Sequence, residues 1–369
     1  MKIFKKIKEY VPTPALIIYC IFFFALAVSL LSRISTPFAD FWNENIGSVL
    51  RLILAYLTTL LPFSLAEYLL LCLPVIAVSL VVYTFRHTVD STKKTVRFIA
   101  GMISSAALIF SILFTNLTPG YFATPVDEKL GLEKLPVSKE ELYETSLYLL
   151  ENANAASKEV DFIYNSFSVM PYTLSELSEK INESYEGICE LYDFIQKMSV
   201  SVKPVALSKP WTYTHIAGVY TFFTGEANIN INFPDFTLPF TVAHEMAHQR
   251  GISREDEANF IAFLVCINSS DPYIRYSGYI SVYEYTASAL YSSDKETYFK
   301  VLKNMSSEIR SELIAYNNFF EKYEENPAEE IVGGINDAYL QQQGQSAGIK
   351  SYDLVTDLAV AYYKKYVKD

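Results

Sequence analysis

The stretch FTVAHEMAHQRGISREDEANF, residues 240–260, contains two histidines four positions apart and a glutamate directly after the first. In an α-helix, residues i and i+4 lie on the same face, so His244 and His248 can bind one ion together. Glu245 is rotated by about 100° around the helix, where its carboxylate can reach a water on that ion. The pattern predicts a Zn²⁺ site of a hydrolase, with Glu245 as the general base.

The segment after His248 is expected to break into two helices. Gly251 is suited to end the first helix in a left-handed conformation. Ser253 is expected to cap a second helix that begins at about residue 254, with Asp256 at its third position. The acidic residues would then lie on a separate helix that can turn back toward the histidines.

The third metal ligand is expected on this second helix, which carries both Glu255 and Glu257. Glu255 shares a helix face with Asn259, whose side-chain amide can donate a hydrogen bond that orients a ligating carboxylate. This relation favours Glu255 as the third ligand. Glu257 stays open as the alternative.

The competing interpretation is an exposed helix with polar pairs at i and i+4. It accounts for the charges of residues 249–257 but not for the apolar neighbours of the two histidines, which are Phe240, Val242, Ala243, Met246 and Ala247. Partly buried histidine and glutamate side chains need polar partners, and a metal ion supplies one. A metal site is therefore preferred.

The N-terminal part of the chain differs in composition from the rest. Residues 1–116 carry ten Lys and Arg against five Asp and Glu, whereas the remainder carries 20 against 36. Such an asymmetry indicates two physical environments. The acidic remainder argues against a nucleic-acid partner, because phosphate binding needs a basic surface.

Three uncharged apolar runs predict membrane-spanning helices at residues 13–32, 68–85 and 98–115. Runs of this length can cross a hydrocarbon core of about 30 Å, so the lipid bilayer is an expected partner. A fourth run, residues 52–66, is shorter and contains Pro62. It predicts an interfacial or re-entrant segment.

The basic residues predict the topology. They precede the first run and separate the second from the third: Lys2, Lys5, Lys6 and Lys8, then Arg86, Lys93, Lys94 and Arg97. With three spans, both clusters fall on the cytoplasmic side, as the positive-inside bias requires. The N-terminus is then cytoplasmic and residues 117–369 are extracytoplasmic. Because the runs carry no charge, the active site is expected beside the membrane rather than within it.

Residues 117–369 are expected to form one mainly helical domain with a short sheet, following a membrane domain of residues 1–116. Ser138 and Glu141 have the spacing of a capping box at the start of a helix. The heptapeptide ANININF, which starts at Ala227, alternates apolar and polar residues and predicts a strand. A disulfide is chemically permitted between the two cysteines of this domain, Cys189 and Cys266.

Other residues are weaker candidates. The segment FTGEANININ, residues 223–232, is either an edge strand that aligns an extended substrate or a purely structural strand. Glu226 within it is a candidate substrate contact. Four further residues are candidates for stabilising the charge that develops on a substrate oxygen: His215, Tyr220, Tyr285 and Tyr352.

Three stretches carry a resemblance to a known family: GVYTFFTGEANINI at 218–231, HEMAHQRGISREDEANF at 244–260 and DAYLQQQGQSAGIKSYDLV at 337–355. Over most of its length the chain resembles a family of bacterial multi-pass membrane proteins. That family is catalogued as a domain of unknown function and presumed to be zinc metallopeptidases.

The local pattern is also similar to that of the gluzincins, which implies a zincin-like α+β fold for the extracytoplasmic domain. Their third ligand is the first Glu of an E-x-x-A-[DN] helix, which implies Glu255 here, with Asn259 as the amide. Only six residues separate His248 from Glu255, fewer than in most gluzincins. This shorter spacing keeps Glu257 and Glu284 open as ligands.

The expected function is that of a zinc-dependent metallopeptidase in the cell membrane, acting on peptides or proteins of the cell envelope. One alternative is a non-enzymatic zinc-containing receptor or scaffold, whose structural site would be closed by four protein ligands. Another is a zinc amidase that applies the same chemistry to a cell-wall substrate.

Overall fold

The computed structural model describes residues 7–87, 91–164, 166–324 and 326–368. Lys2, Lys5 and Lys6 of the predicted basic cluster lie outside this part of the chain. The described chain is mainly helical, as predicted, with one small sheet.

The first part of the described chain ends at Leu117. From Thr13 onward it contains five helices and a π-helical segment: α1 (Thr13–Ile34), α2 (Thr36–Phe41), the π-helical segment Trp42–Gly47, α3 (Ser48–Thr59), α4 (Leu65–His87) and α5 (Thr92–Ile112). A second π-helical segment, Leu113–Leu117, continues α5. Three helical stretches are long and apolar enough to cross a membrane: Thr13–Ile34, Leu65–Arg86 and Thr92–Tyr121. They contain the three predicted runs, and each extends beyond its run.

Lys8 and Arg97, one from each predicted basic cluster, lie at the same end of these helices. Arg97 Nη1 donates hydrogen bonds to the backbone carbonyls of Lys8 at 3.0 Å and Glu9 at 3.2 Å. These two residues therefore share one end of the helices, as the predicted topology requires. The side of the membrane that this end faces stays a prediction.

The second part of the described chain, from Thr118 onward, contains twelve more α-helices and three strands: α6 (Thr118–Tyr121), α7 (Val126–Leu130), α8 (Lys139–Ala156), α9 (Leu174–Leu191), β1 (Lys203–Pro204), α10 (Ser208–Trp211), β2 (Gly218–Thr221), β3 (Glu226–Ile229), α11 (Leu238–Gln249), α12 (Glu255–Ile267), α13 (Pro272–Ser293), α14 (Lys295–Leu302), α15 (Ser307–Phe320), α16 (Pro327–Gln342) and α17 (Val355–Tyr363). A 3₁₀ segment, Gly348–Leu354, precedes α17. The capping box of Ser138 and Glu141 is present at the start of α8.

The sheet has the order β1-β3-β2, with β1 parallel and β2 antiparallel to β3. The suggestion that the segment around Glu226 is an edge strand is wrong, because β3 lies between two partners. All four residues of β3 are buried, since α11 and α3 both contact it. β2 is an edge strand of this sheet, and Tyr220 on it lies opposite Ala227.

Helices α11 and α12 lie at the centre of the core. Every residue of α11 is buried, as is every residue of α12 except Ile267. A helix that is covered all round must be held by neighbours on every side. Here α9, α13, α17 and the sheet supply the covering contacts. Cys189 and Cys266 are free thiols in this core.

The predicted interfacial segment, residues 52–66, packs against the second part of the chain. A Cβ on Gly225 would lie 2.8 Å from the backbone nitrogen of Ala55, so α3 passes directly over the turn that precedes β3. Lys203 donates a hydrogen bond to the carbonyl of Leu61. The helix in this run, α3, is not among the described stretches that are long and apolar enough to cross a membrane. The interfacial or re-entrant position of the run stays a prediction.

Candidate metal centre

His244 and His248 face each other on α11. Their Nε2 atoms are 3.1 Å apart, and each lies 3.3 Å from Oε2 of Glu255, the first residue of α12. All three side chains are buried, at 7–8% exposure. Tetrahedral zinc with bonds of about 2.0–2.1 Å holds neighbouring ligand atoms roughly 3.3 Å apart. The three atoms therefore have the separations of ligands to one ion, and the group can hold a metal ion.

The tautomer of His248 strengthens this interpretation. Its Nδ1 lies 2.7 Å from the carbonyl of Ile252, which can only accept, so Nδ1 carries the proton. In the neutral ring, Nε2 then offers a lone pair toward His244 and Glu255. Burial lowers the pKa of His248, but the charge of Glu255 outweighs it and raises the pKa to about 9. The site thus attracts a cation, whether a proton or a metal.

Several buried polar atoms around the cluster have no hydrogen-bond partner in the described structure. They are Nδ1 of His244, Oε2 of Glu245 and Oε2 of Glu255. Buried polar atoms are normally paired, so such a group calls for an explanation. A metal ion accounts for Glu255 directly, and a water on that ion would account for Glu245.

Glu257 does not face the histidines. Its Oε1 accepts hydrogen bonds from the backbone nitrogen of Val126 at 3.0 Å and from Arg254 Nη1 at 2.7 Å. Glu284 lines a separate cavity of about 450 Å³ together with Arg310. The structure therefore brings Glu255, and neither of these two alternatives, to the histidine pair.

The loop between the two helices is built partly as expected. Gly251 adopts a φ of +95°, which is the predicted left-handed conformation. Ser253, however, is not the cap of α12, because its Oγ donates to the carbonyl of Leu117 at 2.9 Å. Arg254 occupies the N-cap position, without a side-chain capping bond. The amide of Asn259 does not hold Glu255 either, since it donates to the Tyr352 carbonyl at 3.4 Å.

The loop between α11 and α12, residues 251–254, is hydrogen-bonded to Asn43 and to residues 117–123. Three side chains make the attachments: Asn43 Nδ2 to the Gly251 carbonyl at 3.0 Å, Ser253 Oγ to the Leu117 carbonyl at 2.9 Å, and Arg254 Nη2 to the Tyr121 and Ala123 carbonyls at 2.9 Å each. Ile252, which orients His248, lies inside this loop. The position of His248 thus depends on the segment that carries Asn43 and on residues 117–123.

Arg51 of α3 completes this attachment. Its guanidinium is 2% exposed and donates to Asn43 Oδ1 at 2.9 Å, to the Asn43 carbonyl at 2.7 Å and to the Asn116 carbonyl at 3.0 Å. Burial lowers the pKa of Arg51 to about 10. A Cβ on Gly251 would lie 2.4 Å from Arg51 Nη2, so only glycine fits there.

Glu245 lies on the other side of the cluster, against β2. A Cβ on Gly218 would approach Glu245 Oε1 to 2.7 Å, so the missing side chain makes room for the carboxylate. Burial raises the pKa of Glu245, while the neighbouring histidines and a backbone hydrogen bond from Tyr220 act in the opposite direction. The carboxylate is thus held between α11 and the strand.

An open cleft of about 1090 Å³ lies beside this side of the cluster. His244 and Glu245 are on its wall, together with residues 214–218, the first half of α16 and part of the 3₁₀ segment. His248 and Glu255 lie behind that wall. The cluster therefore has one side next to a space large enough for a ligand.

Three of the weaker candidates line the cleft: His215, Tyr285 and Tyr352. The ring of Tyr352 stacks on His244 with centroids 6.3 Å apart. Burial, followed by the charges of Glu255 and Glu245, raises the pKa of Tyr352 well above its ordinary value. Tyr352 is thus next to the cluster.

His215 and Tyr285 lie in the same cleft with other partners. His215 Nε2 is 2.9 Å from the carbonyl of Tyr323, and its Nδ1 is 3.4 Å from Glu329. Burial and then the charge of Glu284 raise the pKa of Tyr285 to about 12.

Tyr220 and Glu226 do not reach the cleft. The Tyr220 ring stacks on His248 with centroids 6.4 Å apart. Burial raises the pKa of Tyr220 to about 12, while the charge of Arg51 and a hydrogen bond with Asn116 act in the opposite direction. The Glu226 carboxylate accepts hydrogen bonds from the backbone nitrogens of Leu65 and Ala66, both at 2.9 Å. Glu226 therefore caps the start of α4, and its suggested substrate contact is wrong.

Sequence reasoning missed three residues that shape the site: Arg51, Asn43 and Gly218. Each acts through a partner more than 25 positions away, so no periodic pattern marks it. Arg51 directly precedes the apolar run at 52–66, and this position was the one feature of the sequence that could have drawn attention to it.

Comparison with known proteins identifies the family. The family described as "Protein of unknown function (DUF3810)" matches residues 42–360. No curated protein and no solved structure matches the chain. The match begins at the π-helical segment that carries Asn43 and includes the whole metal centre. The chain belongs to this family of unknown function.

Proposed function

We propose that the protein is a membrane-anchored zinc metallopeptidase. His244, His248 and Glu255 would hold the ion, and Glu245 would be the general base. The observation that carries the proposal is the three-donor cluster beside a cleft, with the buried carboxylate of Glu245 next to it and one oxygen of that carboxylate, Oε2, without a partner. The donor set of two imidazoles and one carboxylate is that of catalytic zinc in hydrolases.

The chain's own residues supply the remaining parts of the reaction. Bound zinc would polarise the peptide carbonyl and make a water molecule acidic at neutral pH. Glu245 would take the proton of the attacking water at its free Oε2 and pass it to the leaving nitrogen. Tyr352, beside His244, is the best placed of the candidate groups to donate to the developing oxyanion.

The start of β2, at Gly218, would align the substrate. Gly218 pairs with β3 at a position where its backbone groups face away from that strand, because the Asn230 nitrogen donates to the Ala217 carbonyl next to it. The backbone nitrogen of Tyr220 also faces away from β3, but it donates to Glu245. An extended peptide can add to such an edge. We therefore propose that β2, and not the segment around Glu226, aligns the substrate.

A zinc site kept only for folding is the competing function. Structural zinc is usually closed by four protein ligands. The potential metal-binding group among the described residues has three members. The adjacent cleft gives a reason for an open fourth position, which favours the enzyme.

Glu245→Gln tests the proposal. In the zinc-loaded full chain, hydrolysis of a mixed peptide library is expected to fall by about a thousandfold or more, because the general base is lost. Zinc content measured by mass spectrometry should stay unchanged. Normal hydrolysis by this variant would contradict the proposed mechanism.

A further inference from the structure

The cleft beside the metal cluster is acidic. In addition to Glu245, three carboxylate residues line it: Glu329, Glu330 and Asp353. No lysine or arginine is among its described lining residues, and its one histidine outside the metal cluster, His215, is paired with Glu329. A ligand in this space therefore meets negative charge from several directions.

These carboxylates come from two separate elements. Glu329 and Glu330 belong to the first turn of α16, whereas Asp353 is in the 3₁₀ segment. Complementing the helix dipole would explain the first two but not Asp353. Burial is the largest cause of the raised pKa of Tyr285, followed by the charge of Glu284 and then that of Asp353. Asp353 therefore acts on a second residue of the cleft wall. The acidic character thus belongs to the cleft and not to one helix end.

Aromatic rings line the same space. They are Phe233, Phe240, Tyr285, Tyr316 and Tyr352. Aromatic faces attract ammonium and guanidinium groups, and they also pack against the apolar stems of Lys and Arg side chains. Negative charge and aromatic faces together suit a long cationic side chain better than an acidic or a small one.

We propose that the cleft binds peptides that carry Lys or Arg next to the bond presented to the metal cluster. For the cleavage of such peptides this inference rests on the proposed function. For their binding it rests only on the cleft.

The test measures binding without turnover. The full chain with Glu245→Gln is loaded with zinc, and two short end-capped peptides with a neutral fluorophore are titrated by anisotropy. The peptides are identical except for Lys in one and Glu in the other. We expect the Lys peptide to bind about tenfold more tightly at low salt, with the preference shrinking as salt is added.

A triple variant on the same background locates the charge. Glu329→Gln, Glu330→Gln and Asp353→Asn together should reduce the preference to about twofold or less. The matched control neutralises three exposed glutamates that do not line the cleft: Glu151→Gln, Glu183→Gln and Glu186→Gln. The control should keep the full preference. If the triple variant fails to fold, the Glu245→Gln parent tests the inference alone: its preference for the Lys peptide must shrink as salt is added.

Equal affinity for the two peptides, tighter binding of the Glu peptide, or no binding of either would overturn the inference. So would an equal loss of preference in the control. Cleavage by the unsubstituted chain separates this inference from the proposed function. A Lys peptide that binds but is never cleaved contradicts the peptidase, whereas equal cleavage of both peptides contradicts only the charge preference.

Discussion

The two sides of the metal cluster are held in different ways. On the attached side, the loop of residues 251–254 is hydrogen-bonded to Asn43, which Arg51 holds in turn, and to the segment after α5. On the cleft side, Glu245 and His244 are next to open space, with unpartnered polar atoms. The buried hydrogen bonds of the attached side are typical of a folded core, whereas the open space and unpartnered polar atoms of the cleft side are typical of a binding site. Substitutions on the two sides should therefore differ in kind.

The largest effect is expected on the attached side, from Arg51→Ala. It removes a buried guanidinium together with its three hydrogen bonds, two to Asn43 and one to the Asn116 carbonyl. Bonds to charged groups contribute about 1.5–3 kcal/mol each, so a loss of about 3 kcal/mol or more in the free energy of unfolding is expected. Thermal unfolding of the detergent-solubilised chain, with zinc content measured in parallel, checks this.

The control for Arg51→Ala is Arg86→Ala, which changes an exposed arginine at the end of α4. It should leave both the unfolding temperature and the zinc content close to those of the parent. Unchanged stability and zinc content in Arg51→Ala would mean that the attachment does not hold the loop of residues 251–254.

A smaller and different effect is expected on the cleft side, from Gly218→Ala. The new Cβ would lie 2.7 Å from Glu245 Oε1 and would push the carboxylate from its place. Peptide hydrolysis should fall by about tenfold to a hundredfold, because small displacements of a catalytic group are costly. Zinc content and thermal stability should change little. A loss of zinc equal to the loss of activity would erase the distinction between the two sides.

An effect of about the same size as that of Gly218→Ala, but confined to kcat, is expected from Tyr352→Phe. Removing a hydroxyl that donates to a developing oxyanion should lower kcat by about tenfold to a hundredfold and leave KM nearly unchanged. Tyr220→Phe is the matched control, because that ring stacks on His248 from the attached side. If Tyr220→Phe lowers kcat as much as Tyr352→Phe, the cleft does not define the catalytic side.

The sequence predicted the local features of the site and missed the distant ones. His244, His248 and Glu245 follow from helical periodicity, and Gly251 follows from the need for a left-handed residue. The preference for Glu255 over Glu257 agrees with the geometry, although the expected Asn259 contact does not exist. The ligand geometry is set by a short loop, so local reasoning was sufficient there.

The distant features depend on partners that no local pattern encodes. Ser253 has ordinary capping chemistry, yet Leu117 competes for its hydroxyl. The alternation of ANININF correctly predicted a strand but not its central place, because Asn228 and Asn230 are buried and donate to neighbouring oxygens. The packing of the apolar run at 52–66 over the turn before β3 was not foreseen, and its interfacial or re-entrant position stays a prediction.

Glu255 is proposed to join the two histidines in holding zinc. The zinc content of the purified full chain carrying either Glu255→Gln or Glu257→Gln decides whether it does. We expect about one zinc per chain for the parent and for Glu257→Gln, and a large loss for Glu255→Gln. Equal zinc in the two variants, or a loss confined to Glu257→Gln, would contradict it.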